Sequence, residues 1–254
     1  MIKALKKYKY YTLVTYDDLT YEIENEVIIK YAISVGKSFT KDEFLKIIND
    51  NKYYYYDRIS KNKLKRMLTV YELKTFLIEK EAPKEVINTL IDKYIKYNYL
   101  NDEYYAKSYI DIRKNREGPK LLAKKLLDKG IDKDLIDTEL SLIDETECID
   151  TFVEARLKRF KNKTKKTIQQ NLIKILVNKG FNYNLSKEIV NSKINKLSID
   201  DSLFIEKDFD KIYKRHYNKK PPIELKQYIK QKLYEKGYKS SSINEIVSKK
   251  LDSL

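Results

Sequence analysis

Leu126-Leu127-Asp128-Lys129-Gly130-Ile131 is the stretch on which the fold turns. Its pattern, a leucine, two further residues, Lys-Gly and a bulky apolar side chain, returns as Leu176-Val177-Asn178-Lys179-Gly180-Phe181. It returns again as Leu233-Tyr234-Glu235-Lys236-Gly237-Tyr238. A degenerate copy, Leu77-Ile78-Glu79-Lys80-Glu81-Ala82, has Glu where the others have Gly. The four lysines lie 49, 50 and 57 residues apart, the mark of an internal repeat. Each copy reads as a helix end. Lysine meets the negative pole of the helix dipole, glycine turns left-handed without a Cβ penalty, and the next apolar residue packs back on the last turn. Glu81 is a poorer choice there, because a left-handed Glu is strained.

Apolar stripes at three- and four-residue spacing precede each end: Leu122/Leu126, Ile168/Leu172/Leu176 and Leu225/Ile229/Leu233. Pro119 and Pro222 suit first helical turns, and Thr69-x-x-Glu72 reads as a capping box. A second amphipathic stretch follows each end. A longer, aromatic-rich one precedes it, carrying Tyr104, Tyr105 and Tyr109, then Phe152 and Phe160, then Phe204, Phe209 and Tyr213. Their helical spacing puts Tyr104 and Tyr105 in the core rather than on nucleic-acid bases. The expected fold is mainly α, a series of tandem three-helix repeats. Its expected divisions are 51–98 (degenerate), 99–144, 145–197 and 198–254.

Residues 1–50 differ. Runs of β-branched and aromatic residues at 8–16 and 20–24, parted by Asp17-Asp18-Leu19, predict a β-hairpin. Thr40-Lys41-Asp42-Glu43 is a second capping box, opening a short helix. A small α+β cap therefore precedes the repeats.

Composition narrows function. Of 254 residues 42% are hydrophobic, enough for a sizeable core, and only 5 are Gly and 4 Pro, which argues against a turn-rich all-β chain. One Cys and one His leave no disulfide framework and point to a reducing, cytoplasmic setting. No apolar run approaches the roughly 18 residues of a membrane span. The basic start at 1–18 lacks the small-residue cleavage site of a leader. Enzyme motifs fail one by one. Gly36-Lys37-Ser38 ends like a phosphate-binding loop, but Tyr31 stands where the first glycine belongs, so a turn is expected. Cys148 falls in an apolar-periodic helix at 146–160, as a buried structural thiol does. His216 sits in a basic run. The acidic pairs Asp102-Glu103, Asp144-Glu145 and Asp200-Asp201 share one register with the repeat, which fits helix capping better than metal chemistry. The expectation is a non-enzyme without cofactor or metal.

The charge is decisive: 53 Lys and Arg against 38 Asp and Glu, a formal +15. One cluster holds Arg113, Lys114, Arg116, Lys120, Lys124 and Lys125. A second holds Arg156, Lys158, Arg159, Lys161, Lys163, Lys165 and Lys166. A third holds Lys211, Lys214, Arg215, Lys219 and Lys220. All three occupy one place in their repeat, around the end of the first helix, so stacking would align them as a stripe suited to nucleic acid or an acidic protein surface. The candidate contacts are Arg113, Arg116, Lys120, Lys124, Arg156, Arg159, Lys163, Lys165, Lys166, Lys214, Arg215, Lys219 and Lys220.

Tyr99-Leu100-Asn101-Asp102-Glu103-Tyr104-Tyr105-Ala106-Lys107-Ser108-Tyr109, continued by Gly118-Pro119-Lys120-Leu121-Leu122 and the Leu126–Ile131 copy, resembles the signature of the RecX family. Asn101 and Glu81 depart modestly from the family pattern. The resemblance implies tandem three-helix repeats and a monomeric, non-enzymatic regulator of the recombinase RecA. It implies binding in the groove of the RecA filament on single-stranded DNA, with suppression of ATP hydrolysis, filament extension and strand exchange, and contact with DNA itself, double-stranded included. An autonomous basic DNA-binding protein is the alternative reading of the same charge, and a metal-dependent nuclease a distant third.

Overall fold

The computed structural model describes residues 1–160, 163–197 and 204–251. Lys161 and the pair Asp200-Asp201, singled out by the sequence, lie outside the described residues. The chain forms two compact units, one of residues 1–108 and 126–136, the other of 109–125 and 137–254.

In the first unit, strands β1 (Ile2–Lys7), β2 (Tyr11–Tyr16) and β3 (Leu19–Glu24) make an antiparallel sheet in that order. The expected hairpin is β2–β3. Asp17 and Asp18 close it with φ of 46° and 66°, the left-handed pair that a two-residue turn needs. Strand β1 escapes a sequence reading because IKALKK does not alternate: Ile2 is buried and its other residues are exposed or half-buried. Helix α1 (Asn25–Lys30) follows, then α2 (Lys41–Lys63), opened by the expected Thr40–Glu43 capping box. Helix α2 is not short. It runs 23 residues because no Gly or Pro interrupts it, and it passes straight through residue 50.

Its two halves serve two cores. Phe44 stacks on Tyr16 at 3.9 Å and, with Ile47, packs on the sheet. Tyr53 and Tyr56 instead cover the core of α3 (Val70–Glu79) and α4 (Lys84–Lys96), built on Leu73, Leu77, Leu90 and Tyr94. Between the two halves' cores, buried Asp57 accepts from Lys93 (2.6 Å), Lys61 (2.7 Å) and the hydroxyl of Tyr94 (2.8 Å). Helices α5 (Asp102–Arg113), α6 (Pro119–Leu127) and α7 (Lys133–Ser141) come next in the chain.

The second unit contains two three-helix cores. Helices α8 (Glu145–Leu157), α9 (Lys165–Asn178) and α10 (Tyr183–Asn195) enclose Phe152, Ile168, Leu172, Leu176 and Phe181. Helices α11 (Ile205–His216), α12 (Pro222–Glu235) and α13 (Ser240–Leu251) enclose Phe209, Ile229, Leu233, Tyr238 and Val247. The aromatic-bearing first helix is the longest of its set only for α5, with 12 residues against 9 in α6 and α7; α8 has 13 against 14 in α9, and α11 has 12 against 14 in α12.

The glycine pattern closes as expected. Ile131, Phe181 and Tyr238 donate their N–H to the carbonyls of Leu126, Leu176 and Leu233, while the glycines donate to residues 127, 177 and 234. This is a Schellman turn three times over, with glycine φ of 74°, 88° and 95°. Ala82 and Glu81 make the same two bonds, to Leu77 and Ile78, with Glu81 strained at φ 58°.

The turns have a second role. Within the first unit, the Thr69 hydroxyl at the start of α3 donates to the Lys129 carbonyl at 2.7 Å, and Tyr71 lies over Gly130. Within the second unit, the Gly118 N–H donates to the Lys179 carbonyl at 2.8 Å and the Lys120 N–H to the Gly180 carbonyl at 3.2 Å. Likewise the Thr164 hydroxyl at the start of α9 donates to the Lys236 carbonyl, and Lys166 packs on Gly237. Glycine is thus required twice over, for its φ and because a foreign chain segment touches its α-carbon. At the Lys80 carbonyl the donor is instead the Tyr56 hydroxyl of α2, at 3.1 Å, and Glu81 is exposed.

Candidate cationic groove

Between the end of α5 and helix α8 lies a groove of about 670 Å³, lined by Ile112, Asn115, Arg116, Thr151, Phe152, Ala155, Arg156, Arg159 and Lys179. Each wall follows from local chemistry. Arg156 and Arg159, three residues apart, share one face of the end of α8 and the turn after it. Phe152, one turn earlier, is buried below them in contact with Phe181, and the Arg156 guanidinium lies 5.4 Å from its ring. Arg116 stands in the α5–α6 connection, whose Gly118 is fastened to Lys179. That bond brings the fourth cation to the rim.

No carboxylate among the described residues lies within ion-pair distance of Arg116, Arg156 or Arg159. The nearby acids are engaged elsewhere. Asp150 and Glu154 on α8 pair with Lys193 at 2.8 and 2.6 Å, Asp111 pairs with Lys114 at 2.9 Å, and Glu117 with Lys125 at 2.7 Å. Asp111 holds the Lys114 ammonium above its ordinary pKa. Four cations with no adjacent anion create a positive potential that an anionic partner can relieve.

Only three of the thirteen sequence candidates, Arg116, Arg156 and Arg159, meet in this groove. Arg113 is half-buried, stacked 4.0 Å above Tyr109. Lys120 and Lys124 are exposed on α6, and Lys163 is exposed near Phe160. Lys165 is half-buried at the start of α9, and Lys166 is occupied by Gly237 and the Tyr234 ring. Lys214, Arg215 and Lys219 are exposed around the end of α11. Lys220 lines a separate pocket of about 470 Å³ with Tyr213 and Tyr217, whose rings stack at 5.6 Å. Lys179 was legible only as a helix-end lysine. Its place in the groove depends on Gly118, 61 positions earlier in the chain.

The other motifs resolve into structure. Gly36-Lys37-Ser38 is a turn: the Gly36 N–H donates to the Ile2 carbonyl, the Ile2 N–H donates to the Lys37 carbonyl, and the Lys37 ammonium donates to the carbonyls of Tyr31 and Ala32. Cys148 is buried, and burial pushes its thiol pKa up. His216 lies 4.7 Å from Tyr228; partial burial, then Lys219 and Arg215, hold its imidazole below the usual value. Asn101 and Asp144 cap their helices, accepting from Tyr104 N–H (2.8 Å) and Thr146 N–H (2.9 Å). Asp102 and Glu145 reach farther, to the N–H groups of Val70 (2.9 Å) and Asn182 (2.6 Å). Tyr105 is buried, but Tyr104 is 63% exposed, against the expectation for both. Successive helical residues point about 100° apart, so adjacent tyrosines do not share a face. No described helix is long and apolar enough to cross a membrane.

Fold and groove together define a mainly helical protein of three-helix sets with an N-terminal sheet and an uncompensated arginine cleft. Residues 101–140 match the family described as RecX, second three-helix domain. The chain is 30% identical over 246 residues to the regulatory protein RecX of Streptococcus sanguinis strain SK36, covering 95% of each chain. It is 30% identical over 250 residues to that of Streptococcus gordonii, covering 96% of this chain and 97% of the other. Two crystal structures share the fold: a regulatory protein RecX (TM-score 0.55, 19% identity, 75% of this chain and 98% of that one) and RecX from Lactobacillus salivarius (0.51, 24%, 58% and 99%). The chain belongs to the RecX family.

Proposed function

We propose that the protein is a non-enzymatic regulator that binds the RecA filament on single-stranded DNA and lowers its ATP turnover, extension and strand exchange. Family membership supports the class of activity, and the unpaired arginine groove is the observation that carries binding to an acidic surface. In this reading the chain acts as a cytoplasmic monomer. Helical repeats at 51–98, 99–144, 145–197 and 198–254 carry the candidate cations, those of the groove facing the recombinase. Titrating the protein into RecA assembled on single-stranded DNA should slow ATP hydrolysis below one regulator per recombinase. An unchanged rate at equimolar protein, with a known inhibitor working in parallel, would remove the proposal.

A second reading, direct DNA binding without RecA, is favoured by one observation. Exposed Lys214, Arg215 and Lys219 flank the stacked rings of Tyr213 and Tyr217, which alternates cations with aromatic platforms. It requires affinity for naked strand that falls steeply as salt rises.

A further inference from the structure

We propose that the groove between α8 and the α5–α6 connection takes an acidic protein segment carrying an apolar side chain between its carboxylates. This deepens the regulator reading, on which it rests only for the partner being a protein.

The charge comes from three guanidiniums and one ammonium, with no acid among the described residues that line the groove. Guanidinium forks bind carboxylates two bonds at a time, and such charge-assisted pairs are stronger than neutral hydrogen bonds. Arg156 is already seated along the Phe152 ring, which limits the entropy lost when its fork is engaged. Arginines would serve phosphates equally well, so the apolar lining decides the class of occupant. Ile112, 73% exposed, and Ala155, also exposed, both line the groove. Together they form a shelf for a leucine-sized side chain, not a face on which a base stacks. The groove's one aromatic ring, Phe152, is 5% exposed and lies beneath Arg156, so it offers no platform to a nucleobase. Stacked tyrosine rings lie instead at the end of α11, with lysines around them. The groove is also preformed, since Gly118 fastens one wall to Lys179.

The test uses the full chain and two labelled probes, followed by fluorescence anisotropy. One is a peptide of about 12 residues alternating Glu or Asp with Leu; the other is a thymidine strand of about 20 nucleotides. The R116Q/R156Q/R159Q variant should lose at least about tenfold in peptide affinity and less than about twofold in strand affinity. Ile112→Ser should weaken the peptide alone, and an all-Glu peptide should bind the wild type more weakly. Melting curves establish that both variants fold. The proposal is overturned if the wild type does not bind the peptide, if the triple variant binds it normally, or if peptide and strand affinity fall together, which would make the groove a nucleic-acid site. Peptide binding without any effect on RecA ATP turnover would sink the regulator reading and keep the groove. Slowed turnover without peptide binding would do the reverse.

Discussion

The backbone N–H of Gly118 donates to the carbonyl of Lys179 at 2.8 Å, and this single bond joins a packing constraint to a binding surface. It holds the α5–α6 connection against the turn after α9, and thereby brings Arg116 and Lys179 to one cleft. A Cβ on Gly118 would lie 2.4 Å from the Phe181 nitrogen and 2.5 Å from the Gly180 carbonyl carbon, both backbone atoms.

Gly118→Ala should therefore cost about 3 kcal/mol, since backbone on both sides must move. Gly36 provides the comparison: it needs φ of 85° but has nothing within 4 Å of its would-be Cβ. Gly36→Ala should cost only the conformational penalty of about 1 kcal/mol. Urea denaturation of the two variants measures the difference, and equal losses would show that close approach is not what glycine serves at 118.

Glu81→Gly should stabilise the protein by about 1 kcal/mol. The position is left-handed at φ 58°, and glycine adopts that conformation without steric cost. Equilibrium unfolding of the variant checks this; a loss of stability would mean that the Glu81 side chain contributes more than its backbone strain removes.

Asp57 predicts an acid-sensitive step. Burial alone would raise its pKa, but Lys61, Lys93 and Tyr94 outweigh burial and hold it below the ordinary carboxylate value. The folded state therefore keeps the carboxylate ionised where the unfolded chain, at about pH 4, already takes up a proton. Its stabilisation is complete above that pH and is lost as pH falls through the folded-state value. Asp57→Asn should cost about 2 kcal/mol at pH 7, because half-buried Lys93 loses its counterion; exposure of Lys61 keeps the loss from being larger. The stability gap between variant and wild type should close toward pH 3, as thermal melts across pH would show. A gap that is constant with pH would mean that the carboxylate charge is irrelevant.

Local signals in the sequence translated directly. Thr40 and Thr69 cap, Pro222 opens α12, and Gly130, Gly180 and Gly237 turn left-handed, because each depends on residues within one helical turn. What depends on distant partners was hidden. Glycine at 130, 180 and 237 has a local explanation that conceals the closer constraint, namely the segments bearing Tyr71, Leu121 and Lys166 pressed upon it. Charge clusters were visible as runs, yet a run radiates around its helix. Of the described basic residues between 156 and 166, only Arg156 and Arg159 enter the groove. Strand β1 carries one buried residue in six and so has no alternation to read.

The hydroxyls of Thr69 and Thr164 tie together segments far apart in the chain. Each is buried and donates to a carbonyl in a turn downstream, 60 positions away for Thr69 and 72 for Thr164. Those two carbonyls, of Lys129 and Lys236, take no part in the Schellman bonds of their own turns. Opening the turn strips a buried hydroxyl of its acceptor, and opening the helix start strips the carbonyl of its donor, so each side stabilises the other equally. Fraying at either partner should therefore loosen the other, and the two threonines act as rivets between distant stretches of chain.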